Sequence, residues 1–353
     1  MADYYDGTKA LSMKDLDGNQ PEIIMVTTNR SAGKTTYYDR YALRRFLKYG
    51  EKFCLIVRFD YELDGIAEQF FKDIGSLFFP NHTMKAVKKA KGVYVELYVG
   101  YKGADDVEQM DLCGYAVALN KADALKKKSH LLSDISRCIF DEFQSETNHY
   151  CSNEIAKFMS VHDSLARGHG EQAKFLPVIM ISNPVSIINP YYTSMGISAR
   201  LDDKTKFLRG HGYILEQGFN ESASQAIKNS GFHKAFEGEK YDSYSTEAVY
   251  LNDSMAFIEK PEGKSRYLAT LKYDDKEFAI REYDKLGILY VDDKPDVTYP
   301  LRIAVTTDDH NINYVMLRRN DMFISHMRYF FEKGCFRFKD LQCKDALMTA
   351  ISY

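Results

Sequence analysis

In the first half of the chain, apolar residues come in short unbroken runs, each ending in small polar or acidic side chains. Ile23-Ile24-Met25-Val26, Phe53-Cys54-Leu55-Ile56-Val57, Cys138-Ile139-Phe140 and the run 176–181 have strand length but not the alternation of a one-sided sheet. They predict strands buried on both faces. Between them the apolar spacing changes to three or four. Tyr38, Ala42, Phe46 and Tyr49 precede a helix-stopping Gly50, residues 66–79 read as helical, and Ile155, Phe158, His162 and Leu165 follow Ser152 as N-cap. Residues 93–101 and 114–119 read as further strands. Alternation of this kind predicts an α/β fold, a mostly parallel sheet with helices on both faces. Residues 1–20 are polar and acidic and read as a loose leader.

After about residue 218 the texture changes. Residues 219–250, rich in Ser, Gly and Lys, suit a small helical linker. Beyond it, 256–259, 267–273, 278–282 and 288–291 read as antiparallel strands separated by turn residues; 301–306 is a last strand, and 320–333 and 339–351 look helical. The expected organisation is a domain over 1–218, a linker over 219–250 and a second domain over 251–353. A length of 353 residues agrees with two domains, and 45% hydrophobic residues exclude a disordered or fibrous chain. With 47 basic against 50 acidic residues, a uniformly basic nucleic-acid coat is excluded, though a local basic channel is not. Six scattered cysteines without a C-x-x-C pair and the absence of a secretory start or a long apolar run predict reduced thiols, a cytoplasmic setting and no membrane partner.

The candidate chemistry lies at the strand ends. Binding a phosphate chain takes backbone N–H groups at a helix N-terminus, a lysine, and a hydroxyl for magnesium. Thr28, Asn29, Arg30, Ser31, Ala32, Gly33, Lys34, Thr35 and Thr36 stand between the first strand and the first helix, and Gly33-Lys34-Thr35 fits the second half of a phosphate loop. Thr28 occupies the place of the usual first glycine. About a hundred residues on, an apolar strand ends in Asp141-Glu142, which assigns Asp141 with Thr35 to a Mg2+ shell and Glu142 to polarising the attacking water. Asn183 ends the next strand, as a γ-phosphate sensor or as a turn former before Pro184. Arg167 ends the intervening helix, as a dipole partner or as an arginine finger for a neighbouring subunit. Asn120-Lys121-Ala122-Asp123 matches a guanine motif but precedes Asp141 and lacks a following D-x-x-G, so ATP is preferred to GTP. Lys126, Lys127 and Lys128, and separately Lys85, Lys88, Lys89 and Lys91, form solvated faces or nucleic-acid backbone contacts; Arg318-Arg319 and the basic positions near 333–344 could serve RNA or protein contacts in the second domain. His149, His162, His169 and His211 lack zinc spacing. The Asp pairs at 274–275, 292–293 and 308–309 read as turn chemistry or as a two-metal nuclease centre.

Taken together, these segments resemble the DNA encapsidation ATPases of small short-tailed phages, terminase large subunit-like proteins that thread protein-capped genomes into a prohead with a packaging RNA. The resemblance rests on the loop at 28–36, Lys48–Phe53, Ile139–Phe143, Asn153-Glu154 and the stretch Ser182–Tyr191, with Phe257–Lys260 and Thr306–Asp309 in the second half. It implies an additional-strand (ASCE) P-loop ATPase joined to an RNase H-like, vestigial nuclease domain. It further implies an ATP- and Mg2+-dependent double-stranded DNA translocase, working as a homo-oligomeric ring, expected to be a pentamer, on the prohead portal and packaging RNA. By the same resemblance Arg167 is the trans-acting arginine and Lys128 lies on a DNA-facing loop. The expected location is the host cytoplasm, with transient attachment to the prohead. Two rivals are a terminase-like enzyme that also cuts DNA and a nucleotide-gated assembly scaffold.

Overall fold

A computed structural model describes residues 4–102, 108–147, 149–167, 173–187, 189–198, 200–201, 205–235, 258–317 and 321–352. The chain divides into two compact units, one of residues 1–185 and 203–251, the other of 186–202 and 252–353. Residues 186–202, expected within the first domain, thus group with the second unit.

In the first unit, helix α1 (Thr8–Ser12) precedes β1 (Ile23–Thr27), α2 (Lys34–Tyr49), β2 (Lys52–Val57), α3 (Ile66–Phe78), β3 (His82–Lys89), β4 (Tyr94–Lys102) and β5 (Glu108–Ala118). Then come α4 (Ala122–Lys126), β6 (Ile135–Asp141), α5 (Glu154–Leu165) and β7 (Val178–Ser182). In the second unit α6 (Pro190–Ser194) follows, and the first resumes with β8 (Phe207–Gly210), β9 (Tyr213–Gln217), α7 (Glu221–Lys228) and α8 (Gly231–Ala235). The strands form one nine-stranded sheet in the order β3-β4-β5-β2-β6-β7-β1-β9-β8. Its centre, from β5 to β9, is parallel, while β3, β4 and β8 pair antiparallel at the two edges.

Full burial explains the unbroken apolar runs. Ile24 and Val26 of β1 join Tyr38, Ala42 and Leu43 of α2 and Phe70 and Ile74 of α3 in one core, and Phe53 stacks on Phe70 at 5.0 Å. On the strand neighbouring β2, Phe140 meets Phe158 of α5 at 5.9 Å. Each side chain so buried contributes about 1.5–3 kcal/mol.

Two expectations are corrected. Residues 4–20 are not a loose leader: Ala10 is buried in the α2-side core, and Asp15, also buried, accepts amides from Asp17, Asn19 and Gly212 at 2.7–3.1 Å. The N-cap of α5 is Asn153 in the left-handed region (φ 53°), not Ser152. Two short helices, at 221–228 and 231–235, lie in the segment read as a linker, and 236–257 lies outside the described residues.

The second unit adds β10 (Arg266–Tyr273), β11 (Lys276–Tyr283), β12 (Ile288–Asp292), β13 (Arg302–Ala304), α9 (Met322–Glu332), β14 (Phe336–Phe338) and α10 (Leu341–Ser352). Sheet order is β13-β10-β11-β12-β14. The expected antiparallel pairing holds for β10–β11–β12, whereas β13 and β14 pair parallel with β10 and β12. The core joins Leu271, Ile280, Val291, Phe336 and Phe338 to Met327, Cys343, Leu347 and Ile351 on the two helices. Of the expected strand 256–259, residues 256 and 257 lie outside the described residues, and the Ile258 amide donates to the Phe338 carbonyl at 3.0 Å.

Candidate functional site

β1, β6 and β7 lie side by side and end at the same level, with Thr27 beside Ser182 and Asp141 beside Ile181. In a parallel sheet that edge is where ligands settle. The turn from β1 to α2 leaves Ser31 at φ 59° and Gly33 at φ 90°. α2 takes Gly33, which has no side chain, as its N-cap, and among the described residues no side-chain cap is made there. Its first N–H groups, without intrahelical partners, are therefore open to an anion.

Lys34 opens α2 and is buried, and its Nζ donates to Asn183 Oδ1 at 2.7 Å. Burial pushes its pKa down to about 8 against the opposing pull of Asp141 and Glu142. One residue on, Thr35 Oγ1 donates to Asp141 Oδ2 at 3.0 Å. The other Asp141 oxygen accepts the Glu142 amide at 2.9 Å, and Glu142 takes a left-handed backbone at φ 54°. Burial raises the Asp141 carboxyl, with Lys34 pulling it back. Glu142 is raised by burial and by the negative charges of Asp141 and Glu146. Lys34, Thr35, Asp141, Glu142 and Asn183, far apart in sequence, thus form one cluster.

The rest of the loop is employed differently. Thr28 and Asn29 are buried, and Asn29 exchanges hydrogen bonds with the backbone of Asn220 rather than facing a ligand. Arg30 pairs with Glu146, and the Ala32 carbonyl accepts the Tyr5 amide at 2.9 Å. Arg167 lies exposed just past α5 and, among the described residues, makes no bond to the cluster. Lys126, Lys127 and Lys128 are exposed on the last turn of α4 and its exit. Lys85, Lys88 and Lys89 belong to edge strand β3, where Lys88 pairs with Asp64 and Lys89 with Glu96. Arg318, Arg319 and His169 lie outside the described residues. The apparent guanine motif is engaged elsewhere, since Asn120 and Lys121 both bind Asp60 at 2.9 Å.

One functional residue was not legible. Arg58, just past β2, is buried with its Nε 3.0 Å from both Glu154 oxygens. Its terminal nitrogens donate to the Phe143 carbonyl at 2.8 Å and the Glu142 carbonyl at 3.3 Å. Glu154 also accepts the Cys151 amide at 2.7 Å. Arg58 therefore holds the backbone that carries Glu142 in its unusual conformation. The available signal was a charge ending a buried run, with Asn153-Glu154 noticed as a motif.

In the second unit, Asp274 and Asp275 form the β10–β11 turn at φ 51° and 56°, and their amides donate to the buried Asp309 at 3.3 and 3.0 Å. Asp292 is buried against Arg281 and Lys260 at 3.0 and 3.1 Å, and Asp293 pairs with Lys339. The Asp pairs thus have turn and ion-pair partners. Among the described residues no group of three or more His, Cys, Asp or Glu side chains could hold a metal. No helix among them is long and apolar enough to cross a membrane.

The donor set at the first-unit site fits a magnesium-bound triphosphate. It offers a buried cation, uncapped helix amides, and a hydroxyl beside a carboxylate, the all-oxygen ligation magnesium prefers. The class defined is an α/β protein with a buried lysine at the start of the helix that follows the first strand of its parallel sheet. The chain belongs to the podovirus DNA encapsidation protein (Gp16) family, whose model matches residues 3–351.

The DNA packaging protein of Bacillus phage phi29 is 25% identical over 313 residues, 88% of this chain and 87% of that protein. That of Bacillus phage B103 is 27% identical over 331 residues, 92% and 93% of the two chains. Among solved structures, a chain of the bacteriophage Phi-29 viral genome packaging motor assembly superposes with a TM-score of 0.57 at 23% identity, over 98% of this chain and 97% of that one. A chain of the Phi-28 gp11 DNA packaging motor gives 0.61 at 16% identity, over 100% and 99%. At such identities the two structures speak for the fold.

Proposed function

We propose that this DNA encapsidation protein works as the ATP-hydrolysing subunit of a ring, a pentamer in our reading, that drives double-stranded DNA into a preformed prohead. The observation that carries the reading is the cluster in which the buried Lys34 amine, the Thr35–Asp141 pair and Glu142 converge on uncapped helix amides. Lys34 would hold the β- and γ-phosphates. Thr35 and Asp141 would hold magnesium, which when bound offsets charge on the phosphates. Glu142 would accept a proton from the attacking water, a task its raised pKa favours. Asn183, bonded to Lys34, would sense the γ-phosphate, and Arg167 would reach a neighbouring subunit's nucleotide. Exposed Lys126, Lys127 and Lys128 suit backbone contacts to DNA.

Two features support the finer fold reading. β7 lies between the strand leading into the loop and the strand ending in Asp141, as an additional-strand ATPase requires. In the second unit a three-strand antiparallel meander carries a fourth strand parallel to its first, which suits an RNase H-like domain. We read that domain as a vestigial nuclease that contacts the packaging RNA and portal, with α7 and α8 opening the linker that leads to it. The protein would act in the host cytoplasm and on the prohead.

The test is phosphate release by purified protein with proheads, packaging RNA and DNA. DNA-stimulated release lost in Lys34→Ala is expected; a rate indifferent to both DNA and that substitution would favour the scaffold reading. Manganese-dependent nicking lost in Asp274→Asn would instead favour a cutting enzyme.

A further inference from the structure

The loop that opens the proposed nucleotide site has a β-branched residue, Thr28, where the phosphate-loop pattern has glycine. Its side chain is buried, and its Oγ1 donates to the Asn29 carbonyl at 3.1 Å. A β-branched side chain is restricted in χ1, and this bond favours the rotamer seen. The room it occupies is provided across the sheet. A Cβ placed on Gly218 would lie 2.8 Å from Thr28 Cγ2, closer than two carbon atoms can approach. Gly218 is not among the residues with positive φ, so no left-handed backbone calls for glycine there. Space, not chain flexibility, is what calls for glycine at this position.

The surrounding bonds tie the same two segments together. The parallel ladder of β1 and β9 ends with Thr27 beside Gln217. One step on, the Gly218 amide donates to the Thr27 carbonyl at 2.8 Å. Two residues further, the Asn220 amide donates to Asn29 Oδ1 at 2.8 Å while Asn29 Nδ2 donates to the Asn220 carbonyl at 3.0 Å. Asn220 is also the N-cap of α7, its Oδ1 accepting the Ala223 amide. The entry to the loop is therefore tied at Thr27 and Asn29 to the segment that starts α7.

We infer that Gly218 is a positioning residue of the nucleotide site: the glycine missing from the loop at 28 is replaced in space by one on the neighbouring segment, and the Asn29–Asn220 exchange holds the loop entry to it. The inference rests on the nucleotide reading proposed above. A side chain at 218 would push Thr28, and with it the turn that leads to Gly33 and Lys34, out of register.

The experiment compares wild type, Gly218→Ala, Thr28→Ser and the double variant as full chains. It reads the Kd of a non-hydrolysable ATP analogue with magnesium and, separately, the urea unfolding midpoint. Gly218→Ala is expected to weaken nucleotide binding about tenfold, in keeping with a small overpacking penalty. Thr28→Ser, which deletes the obstructing methyl, is expected to restore most of that loss in the Gly218→Ala background. A Gly218→Ala protein that binds like wild type overturns the inference, as does a double variant no better than the single. If Gly218→Ala alone does not fold, a folded, nucleotide-binding double variant supports the inference and an unfolded one overturns it. Wild type that binds no nucleotide overturns the nucleotide reading itself, whereas wild-type binding with an indifferent Gly218→Ala overturns only this one.

Discussion

Arg58 and Glu154 bury opposite charges together, and each also satisfies backbone groups of the segment leading out of β6. Removing one partner of such a pair leaves the other charged and desolvated. Arg58→Ala should therefore destabilise the protein by about 3–5 kcal/mol, read from urea unfolding, and turnover should fall further than residual folding explains because the Glu142 carbonyl loses its donors. Asp60 presents a milder case at the surface. Hydrogen bonds from Asn120 and Lys121 bring its pKa from 3.8 down to about 2. A carboxyl depressed in the folded state adds stability above its unfolded pKa and loses it as pH falls through the folded one, here between about 4 and 2. Asn120→Ala should raise the Asp60 pKa, followed by NMR titration, and narrow that window from below. Both residues sit where a buried run meets polar loop, and neither partnership follows from spacing, because 96 and 60 residues separate the partners.

At the scale of elements, the unbroken runs predicted β1, β2, β6 and β7, four of the parallel strands, since strands buried on both faces need no polar alternation. β3 went unread for the opposite reason. It lies at the sheet edge, none of its side chains is buried, and its lysines resemble a basic loop while discouraging edge pairing with other chains. β8 and β9 were likewise missed; β8 is a four-residue strand flanked by the Gly210-His211-Gly212 turn. The Asn189-Pro190 half of the Ser182–Tyr191 stretch proves to be a helix start. Asn189 caps α6 through the Tyr191 and Tyr192 amides, with Pro190 in the first turn. In the second unit Asp309 does comparable work for the β10–β11 turn, accepting two turn amides and the Thr306 hydroxyl. Asp309→Ala should cost about 2–3 kcal/mol, as expected when hydrogen bonds to a buried charge are lost. Circular dichroism on thermal unfolding would measure it, and unchanged stability would show the turn to be self-sufficient.

For the whole molecule the proposed ring predicts sites shared between subunits. Arg167 is exposed beyond α5, and within its own chain it has no bond to the Lys34 cluster. Mixed assemblies of Arg167→Ala and Glu142→Gln subunits should recover part of the hydrolysis that each variant alone lacks, because some interfaces would join an intact arginine to an intact glutamate. Steady-state phosphate release across mixing ratios measures this, and silence at every ratio would mean the sites are not shared.

Taken by itself, the sequence determined the α/β alternation, the turn between β1 and α2, and the strand ending in Asp141-Glu142. These are local patterns of burial and backbone conformation, and a single segment carries each of them. Only the tertiary structure decided that Asn183 meets Lys34, that Arg58 supports Glu142, that Gly218 makes room for Thr28, and that β13 and β14 join their sheet in parallel. Those are contacts between distant segments. Strand order and the packing of one buried face on another create them, and no periodicity along the chain encodes which segments become neighbours.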